Sequence, residues 1–154
     1  MDYRRLTQTI AKILASVEGV GKVHPARVFA QNPEEIKTLY TVTTDTTNEN
    51  ILNGWTVSRS GFSNEHVMTD QTHEKTHTFV IRGFFAVNSA TDSETAFNLI
   101  IDRIADAFAP TSDLGEEIES AGPLFAREID YTQFAGSFAH YCELEISVNE
   151  LITY

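Results

Sequence analysis

Residues 76–88 read THTFVIRGFFAVN, and the fold is organised around this stretch. It is rich in β-branched and aromatic residues, which predicts one long buried strand. Gly83 interrupts the alternation, as either a β-bulge or a close approach of another group to the backbone would require.

The next stretch, residues 89–110, reads SATDSETAFNLIIDRIADAFAP and predicts a helix. Thr91 and Glu94 match a capping box, so we expect the helix to start near Asp92. Pro110 ends it. Apolar residues recur between these limits at helical spacing: Phe97, Ile100, Ile101, Ile104 and Phe108. A strand that leads into a helix folding back on the sheet is the core of a two-layer α/β arrangement.

A second amphipathic helix is predicted for residues 3–17, which place Tyr3, Leu6, Ile10, Ile13, Leu14 and Val17 on one face. Gly19 and Gly21 end it. We expect its apolar face to pack on the sheet beside the helix that starts near Asp92.

The final strand shows the strictest alternation in the chain. One phase holds His140, Cys142, Leu144, Ile146 and Val148, and the other holds Tyr141, Glu143, Glu145, Ser147 and Asn149. One face therefore lies on the core and the other faces solvent or a neighbour.

The remaining segments are short. Strands are predicted within residues 23–30, 52–62 and 124–134, a helix from Pro33 to about Tyr40, and a turn at Gly136. The polar stretches 43–50, 63–75 and 110–122 are predicted to be loops. The sequence thus predicts a single α+β domain over residues 1–154. It has a mixed, mostly antiparallel sheet, with the N-terminal and central helices packed on one face.

Composition restricts the function. The 154 residues hold one cysteine, Cys142, which excludes an internal disulfide framework and favours assembly in a reducing cytoplasm. No apolar run approaches the roughly 20 residues of a membrane span, and no secretory signal is recognisable at the start. The formal charge of −11 argues against a phosphate-gripping surface. Either simple solubility or a passage along which nucleic acid slides without sticking would account for it.

One stretch matches a catalytic motif. His73-Glu74-Lys75-Thr76-His77 fits His-Glu-x-x-His, in which two histidines one helical turn apart bind zinc and the glutamate activates water. The flanking residues favour strand and turn instead of helix, so we interpret the match as fortuitous. A zinc-dependent hydrolase using these residues stays as a remote alternative.

No other segment predicts catalysis. His140 and Cys142 share the inward phase of a strand, where a buried thiol and a hydrogen-bonded core histidine are the usual interpretation. The stretch 18–22 lacks the full pattern of a phosphate-binding loop. We therefore predict no catalytic, metal-binding or cofactor-binding residue.

An acidic face is predicted on two adjacent strands. Glu143 and Glu145 lie on the outward phase of the last strand, and Glu128 and Asp130 lie on the strand before it. The face is either an ordinary solvated sheet surface or the lining of a passage that must repel phosphate.

Taken together, the chain resembles the tail terminator (tail-completion) proteins of long-tailed bacteriophages. The resemblance spans nearly the whole chain in order and includes the N-terminal amphipathic helix. Its segments are 23–27 (VHPAR), 54–59 (GWTVSR), 82–85 (RGFF), 91–97 (TDSETAF) and 140–144 (HYCEL). It implies a small subunit with a mixed sheet and helices on one side, acting without catalysis in a hexameric ring. Such a ring caps the tail tube, stops its polymerisation and docks the head–neck connector.

This resemblance implies the partners and the location. They are further copies of the chain, a tail tube protein and a head–neck connector protein, with DNA passing unbound and no membrane. The location is the virion, after assembly in the host cytoplasm. The residues expected to reach partners lie in the predicted loops 43–50 and 63–75. They are Asn48, Glu49, His66, Asp70 and His73. Another head–tail joining or neck protein is the alternative.

Overall fold

The computed structural model describes residues 2–27, 32–43, 50–66, 72–109 and 118–153. The helices are α1 (Tyr3–Ala15), α2 (Pro33–Tyr40) and α3 (Ser93–Ala107), and a 3-10 turn covers Ser89–Thr91. The strands are β1 (Lys22–His24), β2 (Thr41–Thr43), β3 (Asn50–His66), β4 (Thr72–Ala86), β5 (Ile118–Ala121), β6 (Phe125–Phe134) and β7 (Ser137–Thr153). The α+β prediction is confirmed.

The described strands form a mixed, mostly antiparallel sheet in the order β1-β3-β4-β7-β5. β1 runs parallel to β3, whereas β4 is antiparallel to both of its neighbours, β3 and β7. β2 pairs with the start of β3, and β6 pairs with β7 on the same side as β5. A tight turn joins β6 to β7, and both its residues, Ala135 and Gly136, have positive φ. Such turns match the natural twist of paired strands.

β7 alternates as its sequence predicts. Residues at even positions from His140 to Glu150 are buried, and residues at odd positions between them are half-buried. We call the side of the sheet that carries Trp55, Phe79 and Leu144 the helix face, because α1 and α3 cover it. The opposite side, which carries Arg82 and Glu143, is the open face.

α1 and α3 both bury an apolar stripe against the helix face. α1 lies over β1 and β3, and the fully buried Leu6, Ile10 and Leu14 join the core there. α3 lies towards β7, where Phe97 stacks on His140 with ring centroids 5.5 Å apart. The prediction that these two helices share one face is therefore confirmed.

The N-cap of α3 differs from the prediction. Asp92 caps the helix by accepting a hydrogen bond from the Thr95 N–H, and its own φ is +51°. Thr91 instead ends the preceding 3-10 turn, where its hydroxyl donates to the Asn88 carbonyl. The capping-box prediction was wrong by one residue. Thr91 belongs to the 3-10 turn, so the N-cap of the helix is the next residue, Asp92.

The two alternatives for Gly83 are separated by the strand register. Gly83 pairs in continuous register with Trp55 on β3 and Cys142 on β7, so no bulge occurs at this position. A Cβ at Gly83 would lie 2.3 Å from Cζ3 of the buried Trp55 ring. The absence of a side chain at Gly83 therefore leaves room for the indole ring of Trp55. The register shift in β3 falls between Arg59 and Gly61.

Two predicted loops contain strands. Within residues 63–75, the segments 63–66 and 72–75 continue β3 and β4 and pair with each other. Within residues 110–122, residues 118–121 form β5 against β7. Most of the 43–50 loop lies outside the described residues. No helix in the described part combines the length and apolarity that a membrane crossing requires.

Candidate functional site

The predicted acidic residues come together on the open face, at the β6 side of β7. Glu128 lies directly opposite Glu143, and Asp130 lies directly opposite Tyr141. Glu145 follows two residues after Glu143 on the same phase of β7, opposite Phe125. We call Glu128, Asp130, Glu143 and Glu145 the acidic panel. The sequence therefore predicted the placement of all four on one surface.

Two arginines that the sequence analysis did not single out lie within this panel. Arg82 on β4 places its Nε 3.6 Å from Oε1 of Glu143 and donates from Nη1 to the Ser58 hydroxyl at 3.0 Å. Arg127 on β6 places its Nε 3.8 Å from Oε2 of Glu145. The signal for Arg82 was available, because it occupies the opposite phase of β4 from Phe79 and Ile81. Arg127 lies at a register shift of β6, where simple alternation fails.

These arginines change the electrostatics of the acidic panel. Four carboxylates with two guanidiniums leave a net charge of −2 on the panel and its arginines. Glu128 and Asp130 are exposed, whereas Glu143 is half-buried beside Arg82. The pair formed by Arg127 and Glu145 is partly exposed, so water screens it and it contributes little stability.

Tyr141 completes the network around Glu143. Its hydroxyl donates to Oε1 of Glu143. Burial, followed by the hydrogen bond to Glu143 and its negative charge, raises the pKa of Tyr141 well above its ordinary value. Tyr141 therefore stays protonated and keeps donating to the carboxylate at any physiological pH.

An aromatic cluster adjoins the acidic panel on the open face. Tyr40, at the end of α2, meets Phe84 and Phe134 edge-on with ring centroids 5.5 and 5.2 Å apart. Its ring lies against Gly54, where a Cβ would be 2.2 Å from Cδ1. Phe84 also packs on Tyr141 at 5.2 Å. The cluster anchors α2 to the side of the sheet that α1 and α3 leave uncovered.

The predicted partner loops do not form as loops where the structure describes them. His66 on β3 pairs with His73 on β4 in regular antiparallel register. Both therefore belong to a sheet extension, which we call the arm: residues 61–66, 72–78 and 147–153. Asn48, Glu49 and Asp70 lie outside the described residues.

The His-Glu-x-x-His match lies in the arm as extended strand. A helix would be needed to bring both imidazoles to one metal as the peptidase motif does, and residues 73–77 are part of β4. Among the described residues, no cluster of three or more His, Cys, Asp or Glu side chains is placed to bind a metal ion.

His77 forms a buried pair with Glu150 instead. Its Nε2 lies 3.0 Å from Oε2 of Glu150, and the two residues are only 1% and 3% exposed. Burial lowers the pKa of His77, although Glu150 opposes that effect. For Glu150, burial acts to raise the pKa, but hydrogen bonds and positive charge, those of His77 among them, outweigh it. We infer that a neutral His77 donates from Nε2 to an ionised Glu150. Its Nδ1 is then an acceptor, and it has no partner among the described residues.

His140 and Cys142 are core residues, as their inward phase predicts. His140 Nε2 lies 2.7 Å from the Ser93 hydroxyl, which also accepts from the Asn88 N–H, so the pair ties the start of α3 to β7. Burial lowers the pKa of His140 and raises that of the Cys142 thiol to about 12. Ser93 was missed by sequence reasoning, because nothing in a helix-start serine indicates a partner 47 residues away.

Comparison with known proteins adds no family assignment. No protein-family model matches the chain, and no curated protein matches its sequence.

Proposed function

We propose that this chain is a structural subunit of a bacteriophage tail and acts as the tail terminator. Copies of it, six by the family resemblance, close into a ring at the end of the tail tube. The ring stops polymerisation of the tube and offers the docking surface for the head–neck connector. DNA passes through without specific binding, and the protein resides in the virion after assembly in the host cytoplasm.

The observation that carries this proposal is the placement of both long helices, α1 and α3, on one face of the sheet. α1 and α3 cover the helix face only, which is the arrangement that the family resemblance implies. The open face carries the aromatic cluster that holds α2, the net-negative acidic panel and a row of small hydroxyl residues. That row comprises Ser58, Thr76 and Thr78, and on β7 Asn149 lies opposite Thr76 and Ser147 lies opposite Thr78.

The chemistry of this face suits passage better than binding. A phosphate backbone is held mainly by lysine and arginine side chains that displace its counterions. The two arginines of the acidic panel each lie beside a glutamate, so their charge is already compensated. Exposed Glu128 and Asp130 then leave the surface repulsive to a polyanion.

The proposal is tested with the tail tube protein of the bacteriophage that carries this chain. Purified chain is added while tube subunits polymerise, and tube lengths are measured by electron microscopy. We expect elongation to stop, with a ring-shaped cap at one tip of each tube. Tubes that elongate freely while the chain binds the connector would favour the alternative of a neck protein. Tubes that elongate freely while the chain binds neither tube nor connector would refute both.

The acidic panel is tested separately in assembled particles. Glu128→Lys should leave the capping of tubes intact and slow DNA release, because a lysine ring would grip phosphate. Glu18→Lys is the matched control, since Glu18 is exposed in the turn after α1, outside the acidic panel. If both variants release DNA equally, the acidic panel does not line the proposed lumen. The proposed capping of the tube is not contradicted by that result.

A further inference from the structure

We propose that Tyr3, Arg59, Phe62 and Lys75 form a binding site for an oxyanion group, such as a phosphate or a carboxylate. We call these four residues the anion clamp. The clamp lies on the helix face where the arm begins, away from the acidic panel. The inference goes beyond the proposed function and does not depend on the proposed ring.

A β-bulge brings the strand residues of the anion clamp together. On a regular strand, residues three apart point to opposite faces, as Arg59 and Phe62 would. The register of β3 with β4 shifts directly after Arg59, so Arg59 pairs with Phe79 and Phe62 pairs with His77. Lys75 precedes His77 by two residues and therefore shares this face. Bulges are frequent next to functional sites because they re-aim a side chain in this way.

Two aromatic rings hold the guanidinium of Arg59. Its Cζ lies 4.8 Å from the ring centroid of Tyr3 and 4.8 Å from that of Phe62. Tyr3 is itself stacked on the buried Phe79, with ring centroids 6.4 Å apart, which anchors it to the core. A guanidinium that packs on rings uses its flat faces for those contacts and keeps its N–H edge for hydrogen bonds.

The two cations of the anion clamp have no anionic partner in the described part of the chain. Arg59 and Lys75 are half-buried, yet no described carboxylate lies within 4 Å of either. By contrast, Arg82 and Arg127 each lie beside a glutamate, and Arg103 donates to a backbone carbonyl. A partly desolvated charge is costly unless it is paired. An anion from outside the chain would supply the missing partner.

Lys75 supplies the second positive charge. Its Nζ lies 4.9 Å from the ring centroid of Phe62, so both cations lie against the same ring. Besides burial, which is the main cause, the positive charges of Lys75 and Arg59 lower the pKa of His77. Glu150 is only 3% exposed and its carboxylate is bonded to that histidine, so it offers no counter-charge at the surface. The clamp thus carries two uncompensated positive charges on a protein of formal charge −11.

This chemistry fits an oxyanion. Parallel N–H groups of a guanidinium bind two oxygen atoms of a carboxylate or phosphate, and an ammonium adds a point charge beside them. Tyr3 and Phe62 are 41% and 54% exposed, so their rings offer apolar contact to the body that carries the anionic group.

The experiment titrates the full chain with inorganic phosphate and, separately, with the peptide acetyl-Glu-Ala-Glu-Ala-Glu-amide. Both titrations are run at low and constant ionic strength, because salt screens exposed charges. NMR follows the side-chain Nε–H of Arg59 and the backbone N–H of Phe62. Arg59→Gln removes the guanidinium, whereas Phe62→Ala removes the ring and keeps both charges. Lys37→Gln is the matched control, since it removes one positive charge at an exposed position on α2.

We expect at least one probe to bind saturably, with a Kd of about 1 mM or below, and to shift both NMR signals. Arg59→Gln should weaken this binding about tenfold or more, because the charge-assisted hydrogen bonds are lost. Phe62→Ala should weaken it about threefold, because the guanidinium is no longer held against that ring. Lys37→Gln should bind as wild type does. Tighter binding of phosphate identifies a phosphate ligand, and tighter binding of the peptide identifies an acidic protein segment.

Three results would overturn the inference. They are the absence of a saturable shift with either probe up to about 10 mM, Arg59→Gln binding as tightly as wild type, and Phe62→Ala binding as tightly as wild type. Circular dichroism checks that each variant folds. If Arg59→Gln does not fold, Arg59→Lys takes its place, because it keeps the charge but lacks the planar fork and should also bind more weakly.

Discussion

Replacing Gly83 by alanine should destabilise the protein because the Trp55 indole already occupies the space of the new methyl group. The added Cβ would lie 2.3 Å from Cζ3 and 2.5 Å from Cε3 of a ring that is fully buried. Trp55 cannot easily move, since Phe97 packs on it with centroids 5.9 Å apart and its Nε1 donates to Asn53 Oδ1 at 2.7 Å.

The magnitude follows from two opposing effects. Overpacking a filled core costs about 1–3 kcal/mol, and contacts this short belong in the upper part of that range. Removing a glycine from a strand interior returns about 0.5–1 kcal/mol of backbone entropy. Gly83 does not have a positive φ, so backbone strain adds nothing. The free energy of unfolding should therefore fall by about 2 kcal/mol.

Urea unfolding at pH 7 measures this difference through the fluorescence of Trp55, the only tryptophan. A loss of about 2 kcal/mol lowers the midpoint by about 1 M at a slope near 2 kcal/mol/M. Gly61→Ala is the matched control, because no atom lies within 4 Å of the place its new methyl group would take and its φ is not positive. It should be neutral or stabilising by up to about 1 kcal/mol. A Gly83→Ala protein as stable as wild type would refute the packing argument.

Three further predictions concern titration, reactivity and capping. The Cys142 thiol, with its pKa raised to about 12 by burial, should resist a disulfide reagent at pH 8 until urea unfolds the chain, and rapid labelling of the folded protein would contradict this. Because burial lowers the pKa of His77 below 6.5, the unfolded chain binds more protons on acidification, so stability should fall from pH 7 to 5.5. His77→Gln should reduce that dependence in urea titrations, while the lowered pKa of His140 maintains the rest, and an unchanged slope would exclude the role of His77. Asp92→Ala should cost about 1–2 kcal/mol by losing the cap at a positive φ, whereas Asp92→Gly should cost only a few tenths, as thermal unfolding can measure; equal losses would argue against the cap.

The arm shows where sequence reasoning fails on the fold. Alternation reveals a strand only when one of its faces is buried, and it located β7 and most of β3 and β4 because helices cover those parts. Residues 63–66 and 72–75 are polar on both phases, so the hydrophobic pattern that marks a strand is missing there. Their pairing is set by the register of β3 with β4 and of β4 with β7 instead. That register depends on residues far apart in sequence, so local propensity could not reveal it.

The candidate site was predictable in placement but not in charge balance. Period-two alternation sufficed to put Glu143 and Glu145 on the outward phase, and neighbouring strands brought Glu128 and Asp130 beside them. The sequence did not indicate that Arg127 compensates the charge of Glu145, because a register shift in β6 places it there. The packing of Tyr40 against Gly54 was not predicted either, because only the three-dimensional path of α2 brings that ring to the open face.

The position of β7 constrains how the protein can be made. This strand follows every other described element along the chain, yet it lies between β4 on one side and β5 and β6 on the other. During synthesis, the β3–β4 hairpin must therefore wait with one flank exposed until the ribosome has released residues 137–153. Slow closure of such distant pairs is expected from the entropy of joining them. A nascent chain stalled before residue 137 should thus bind chaperones and lack the native protease resistance that the released protein acquires.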